Sequence, residues 1–90
     1  MRILLVEDEE KVARFIQRGL EAEGYAVSVA YDGVQGEESA LKEPFDLFLL
    51  DILLPRKNGF DVLTSIRKAG IAAPVLMLTS RSGTGDIVKG

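Results

Sequence analysis

Phe45-Asp46-Leu47-Phe48-Leu49-Leu50-Asp51 contains a short apolar run closed by a carboxylate. The four consecutive apolar residues from Leu47 to Leu50 suit a strand covered on both faces, as at the centre of a parallel sheet. Asp51 then stands at the carboxyl end of that strand, where open α/β sheets bind their ligands. A second apolar run, Ile3-Leu4-Leu5-Val6, closes on Glu7-Asp8 in the same way. Two strands that each end on acidic residues predict one shared site at one edge of a sheet.

The remaining elements follow in alternation. Residues 2–6 read as the first strand and the segment to about Glu23 as a helix, with Gly24 placed to end it. Val12, Phe15, Ile16 and Leu20, with Ala13 beside them, recur at helical spacing and predict its buried stripe. Tyr25 to Ala30 reads as a second strand. Asp32 with Gln35 resembles a capping box for a second helix, which is weakened by Gly36 and Ser39 and ended by Pro44. After the central strand, Pro55 and Asn58-Gly59 mark a loop. A third helix, about Phe60 to Ala69, has Val62, Leu63 and Ile66 on its apolar face. Val75-Leu76-Met77-Leu78 is the last strand expected, followed by Thr79-Ser80 and a glycine-rich tail that could start a helix at Asp86. Strand and helix in strict alternation imply a parallel sheet with helices on both faces, here over one domain spanning 1–90.

Composition narrows the function. A chain with 47% hydrophobic and 28% charged residues is globular rather than disordered. Its net charge of −3 argues against direct contact with nucleic acid, which requires clustered Lys and Arg. Without cysteine or histidine there is no disulfide framework, no zinc site of the usual kind and no histidine-based catalysis. The apolar runs are too short to span a membrane. Met1-Arg2 leads straight into a strand, leaving no room for a signal peptide, so the expected location is cytoplasmic.

Asp8 and Asp51 are the leading site residues. Adjacent carboxylates repel and ionise together when a cation joins them. With oxygen donors alone, that cation is a hard one such as Mg2+. The plainer alternative makes both aspartates solvated strand ends or helix caps. It suits Asp8 better than Asp51, since nothing obvious begins a helix just after Asp51. Thr79 closes the fourth strand at the same sheet edge, where its hydroxyl could bond a phosphoryl oxygen; taken alone, Thr-Ser after a strand is more often a cap or turn. Arg56 and Lys57 read as solvated loop charges.

Taken together, the sequence resembles the receiver domain of bacterial two-component response regulators. The resemblance rests on Ile3-Leu4-Leu5-Val6-Glu7-Asp8, Gly24-Tyr25-Ala26-Val27, Ala30-Tyr31-Asp32-Gly33, Asp46 to Asp51, Leu54-Pro55 with Asn58-Gly59, and Pro74 to Thr79. It is strongest to the subclass that joins a receiver to a winged-helix DNA-binding domain, which is not present in these residues. The resemblance implies a flavodoxin-like, doubly wound sheet. It implies that Asp51 accepts a phosphoryl group from a phosphohistidine on a sensor histidine kinase. Glu7, Asp8, Asp51 and the backbone carbonyl of Leu53 would hold Mg2+, and Thr79 would be the switch hydroxyl, with Ser80 in place of a usually smaller residue. Such a domain is not an enzyme beyond promoting its own phosphorylation and dephosphorylation. Alternatives are a receiver-shaped interaction module that is not phosphorylated and, more remotely, a metal-dependent hydrolase.

The family pattern continues past Gly90, so the expected sheet is incomplete: four strands and three helices, with the fifth strand and its Lys-Pro pair missing. The chain is either a fragment of a longer regulator or a short form. Slow or incomplete phosphorylation is the corresponding expectation. An uncovered fourth strand also predicts a homo-oligomer joined through Val75, Leu76, Met77 and Leu78.

Overall fold

The structure is a computed structural model and describes residues 1–79 and 86–89, with Thr79 and 86–89 by their backbone. Its elements are β1 (Arg2–Val6), α1 (Glu10–Ala22), β2 (Ala26–Ala30), α2 (Gly33–Lys42), β3 (Leu47–Asp51), α3 (Gly59–Lys68), β4 (Val75–Thr79) and β5 (Asp86–Lys89). They form one sheet in the order β2-β1-β3-β4-β5. The first four strands are parallel, as the alternation of elements requires, and the fold is flavodoxin-like.

Both faces of the central strands are apolar, and each face has its own core. Side chains alternate along a strand. Leu4, Val6, Phe48, Leu50, Val75 and Met77 therefore point to one side, where Ala40 of α2 and Val62 and Ile66 of α3 pack on them. Ile3, Leu5 and Leu49 point to the other, against Ala13, Ile16 and Leu20 of α1. Phe48 is fully buried and meets Phe45 edge-on, with ring centroids 5.8 Å apart. At the amino ends of β1 and β3, Arg2 ties the strands together. Its backbone N–H donates to Asp46 Oδ2 at 2.7 Å, and its guanidinium lies 5.0 Å from the Phe45 ring centre while pairing with Glu43.

Caps end the helices where local chemistry demands. Gly24, at φ +93°, follows α1 in a conformation that side chains disfavour. Asp32 Oδ1 accepts from Gln35 N–H at 2.8 Å, while Gln35 Oε1 reaches back to Tyr31 N–H at 3.3 Å rather than to the cap residue itself. Asn58 Oδ1 accepts from Asp61 N–H at 3.0 Å and starts α3. Gly36, a poor helix former, is required by packing: a Cβ there would approach Val6 Cγ2 to 2.8 Å.

Two expectations are corrected. Phe15 is not in the buried stripe of α1; it is 80% exposed. The five-residue step from Phe15 to Leu20 turns about 140° at 100° per residue, so the two cannot share a face. Asp86 does not begin a helix. It opens β5, which pairs antiparallel with β4 in the register Met77↔Val88 and Leu78↔Ile87. The four parallel strands and three helices are as expected, and β5 adds an antiparallel strand at the edge of the sheet. That strand also occupies the β4 edge at Leu76 to Thr79, which removes the premise for oligomerisation through a fully open edge.

Candidate functional site

The register of β1 and β3 builds the site. Val6 lies opposite Leu50, so the next residues along, Glu7 and Asp51, emerge side by side at the carboxyl edge of the sheet. Glu7 N–H continues the ladder to the Ala30 carbonyl at 3.0 Å, which holds Glu7 in line with its strand. Carboxylate oxygens of Glu7, Asp8 and Asp51 all lie within 4.8 Å of one another. Glu7 and Asp51 are each 2% exposed, whereas Asp8 is open to solvent. The acidic run does not cap α1 through a side chain: Glu9 is the N-cap residue and makes no such bond. A capping role is thereby disfavoured for the run, and a solvated one for Glu7 and Asp51, while Asp8 does face solvent.

Burial dominates its electrostatics. Glu7 is raised from 4.5 to about 7, first by desolvation. The hydrogen bond from Glu9 N–H to Glu7 Oε2, 3.0 Å, opposes the shift, and the charges of Asp51 and Asp8 add to it. Asp51 is also raised, again first by burial; Leu53 N–H, donating to Asp51 Oδ1 at 3.3 Å, pulls the other way, and Asp8 adds to the rise. Such a cluster lacks positive charge. Three carboxylates with oxygen donors alone fit a hard divalent cation, and neither thiolate nor imidazole competes for a softer one.

The loop between β3 and α3 is drawn tightly over Asp51. Gly59 N–H donates to the Ile52 carbonyl at 2.9 Å, and a Cβ on Gly59 would overlap the Asp51 backbone oxygen. Farther along, the loop is attached to α2. Gly33 N–H donates to the Pro55 carbonyl at 3.2 Å, and Gly33 leaves no space for a side chain beside the Lys57 carbonyl. Lys57 is not a solvated charge. Its Nζ bonds Glu37 of α2 and, at 2.9 Å, Ser65 Oγ of α3. Arg56 keeps a mostly exposed side chain, yet reaches Asp32 at 3.5 Å.

Thr79 is the last residue of β4. Asp51 pairs with Leu78, so the Thr79 backbone stands one position beyond the level of Asp51. Ser80 lies outside the described residues. Sequence reading thus placed Glu7, Asp8 and Asp51 together, and the structure joins them. It missed Lys57, Gly33 and Gly59, whose roles depend on contacts between distant segments.

Residues 3–90 match the response regulator receiver domain family, and the chain belongs to it. Among curated relatives, the transcriptional regulatory protein DltR of Streptococcus agalactiae is 47% identical over 90 residues, the whole of this chain and 40% of that protein. The chain therefore spans about two fifths of such relatives, among them a transcriptional regulatory protein and a response regulator, ArlR of Staphylococcus saprophyticus. Among solved structures, the response regulator TrrA of Thermotoga maritima, in complex with Mg(2+)-BeF, has a TM-score of 0.84 at 32% identity, covering 92% of this chain and 76% of that one. The receiver domain of a sensor histidine kinase from Pseudomonas aeruginosa, with magnesium coordinated in its active-site cleft, has a TM-score of 0.84 at 34% identity, covering 94% and 71%. Among the described residues, no helix is long and apolar enough to cross a membrane.

Proposed function

We propose that this domain accepts a phosphoryl group on Asp51 from a phosphohistidine of a sensor histidine kinase. The convergence of Glu7, Asp8 and Asp51 at the carboxyl edge of the central strands carries this reading. In the transfer, a bond forms between an Asp51 carboxylate oxygen and phosphorus, and the bond from phosphorus to the donor imidazole nitrogen breaks. The electron pair departs with the imidazole, which takes up a proton. Glu7, Asp8, Asp51 and the Leu53 carbonyl are the ligands assigned to Mg2+. When bound, Mg2+ supplies the positive charge that offsets the oxygens of the transferring group.

The protein's own part is placement. Burial limits water around Asp51, and the Leu53 N–H fixes one of its oxygens. Gly59 lets the loop close over the strand end without a steric barrier. Thr79, by its place at the end of β4, is assigned the hydroxyl that answers the phosphoryl group. The domain signals by carrying the group and is not an enzyme acting on a separate substrate. The parent protein's output, by analogy with DltR, is transcriptional and requires residues outside this chain. A cytoplasmic location, where a kinase would meet it, accords with this role.

Incubation with Mg2+ and a small phosphodonor, followed by intact mass measurement, tests the reading. One phosphoryl group is expected on the wild-type chain and none on Asp51→Asn. Absence of any gain, under conditions that label a control receiver, would overturn it.

A further inference from the structure

We infer that Lys57 and Glu37 are positioning residues for the metal site: their ion pair, seated on Ser65, sets the loop that brings the Leu53 backbone to Asp51. The inference rests on the Mg2+ reading above and extends it to residues that touch none of the three carboxylates.

The loop from Ile52 to Asn58 has two ends with different restraints. Near Asp51 it is held by the Leu53 N–H bond to the carboxylate and by Gly59 packed on the Asp51 carbonyl. At the other end Arg56 has φ +67°, a left-handed conformation that costs a non-glycine residue energy unless the surroundings impose it. The surroundings are α2 and α3. Gly33 N–H bonds the Pro55 carbonyl, Asp32 pairs loosely with Arg56, and Lys57 Nζ bridges Glu37 and Ser65.

These restraints differ in strength. The Arg56 pair is long, and its guanidinium side is 62% exposed, so solvent screens most of it. The Lys57 and Glu37 side chains are each 27% exposed, and Lys57 Nζ has two partners on two helices. The Glu37 carboxyl is lowered below its usual range, chiefly by the hydrogen bond from Lys57, as a retained pair requires. Of the two side-chain ion pairs between loop and α2 among the described residues, this is the less exposed, and its lysine also reaches α3. A ligand carbonyl must be held to a few tenths of an ångström for a small, geometrically demanding cation. Loosening the loop therefore raises the Mg2+ dissociation constant without changing any ligand.

The test is Mg2+ titration of the folded chain, followed by the amide resonances of Leu53 and Gly59, on Lys57→Met, Glu37→Gln and the double variant. Each single change is expected to weaken Mg2+ about 3- to 10-fold, and the double variant no more than either alone, since the two act as one unit. Arg2→Met breaks the ion pair at the opposite sheet edge and should leave the Mg2+ affinity unchanged, even where it lowers stability equally. Lys57→Arg, which retains a donor to Glu37, should recover part of the loss. If wild type binds and Glu37→Gln or folded Lys57→Met binds as tightly, the positioning role is overturned while the metal reading stands. If wild type itself shows no site-specific shift, the metal reading falls and this inference falls with it.

Discussion

Glu7 is a carboxyl held near neutrality by its surroundings, and that makes the metal-free protein sensitive to pH. Its pKa rises from 4.5 to about 7, with burial as the largest cause. Between those values the folded chain keeps a proton that the unfolded chain has released. Folding stability therefore falls as pH rises from about 4.5 to about 7, and the loss is complete above the folded value. Asp51 is raised as well and adds a loss of the same sign. For Glu7 alone the loss is on the order of 3 kcal/mol. Urea denaturation without divalent cations should show a lower midpoint at pH 8 than at pH 5. Glu7→Gln, which stays neutral in the same space, should remove most of that difference; an unchanged pH dependence in Glu7→Gln would disprove the assignment. The acidic trio was legible in the sequence because each carboxylate directly follows an apolar run. Its protonation behaviour was not, since that depends on burial from both sides of the sheet.

Elements whose signals are local were read well. Runs of apolar residues gave the four parallel strands, and Asp32-x-x-Gln35 and Asn58-Gly59 gave the helix starts. Elements defined by distant partners were not. Phe15 matches a helical spacing yet lies off the face that meets the sheet, and β5 exists through its pairing with β4, for which Asp86 to Lys89 carries no local pattern. The bridge from Lys57 to Glu37 joins residues twenty positions apart, beyond the reach of any periodicity. The glycines divide by the same logic and yield opposite predictions. Gly19 lies exposed within α1 with open space at its Cβ, so Gly19→Ala should stabilise by about 0.5–1 kcal/mol through helix propensity. Gly33 abuts the Lys57 carbonyl, and Gly33→Ala should destabilise by roughly 1–3 kcal/mol as α2 and the loop are forced apart. Thermal melts of the two variants compare these directly, and equal shifts of one sign would contradict the packing described.

At the scale of the whole molecule, the site joins the carboxyl ends of β1 and β3, the strands about which both cores are built. A single domain of this size is expected to unfold cooperatively, so a cation held by those two strand ends stabilises the entire unit rather than one loop. Binding to the folded chain alone adds about 2.7 kcal/mol at a free concentration one hundred times the dissociation constant. Asp8 separates this effect from ordinary stability. It is exposed, it contributes no side-chain cap to α1, and its charge opposes ionisation of both Glu7 and Asp51. Asp8→Ala should therefore stabilise the metal-free protein at pH 8, by roughly 1 kcal/mol for a partly screened charge pair. The same change should abolish the rise in midpoint that Mg2+ produces in wild type. Denaturant titrations at several Mg2+ concentrations measure both quantities, with the slope m unchanged because the folded surface is unchanged. A variant that is less stable without metal, or that keeps the Mg2+ response, would show that Asp8 is a structural residue and not a ligand.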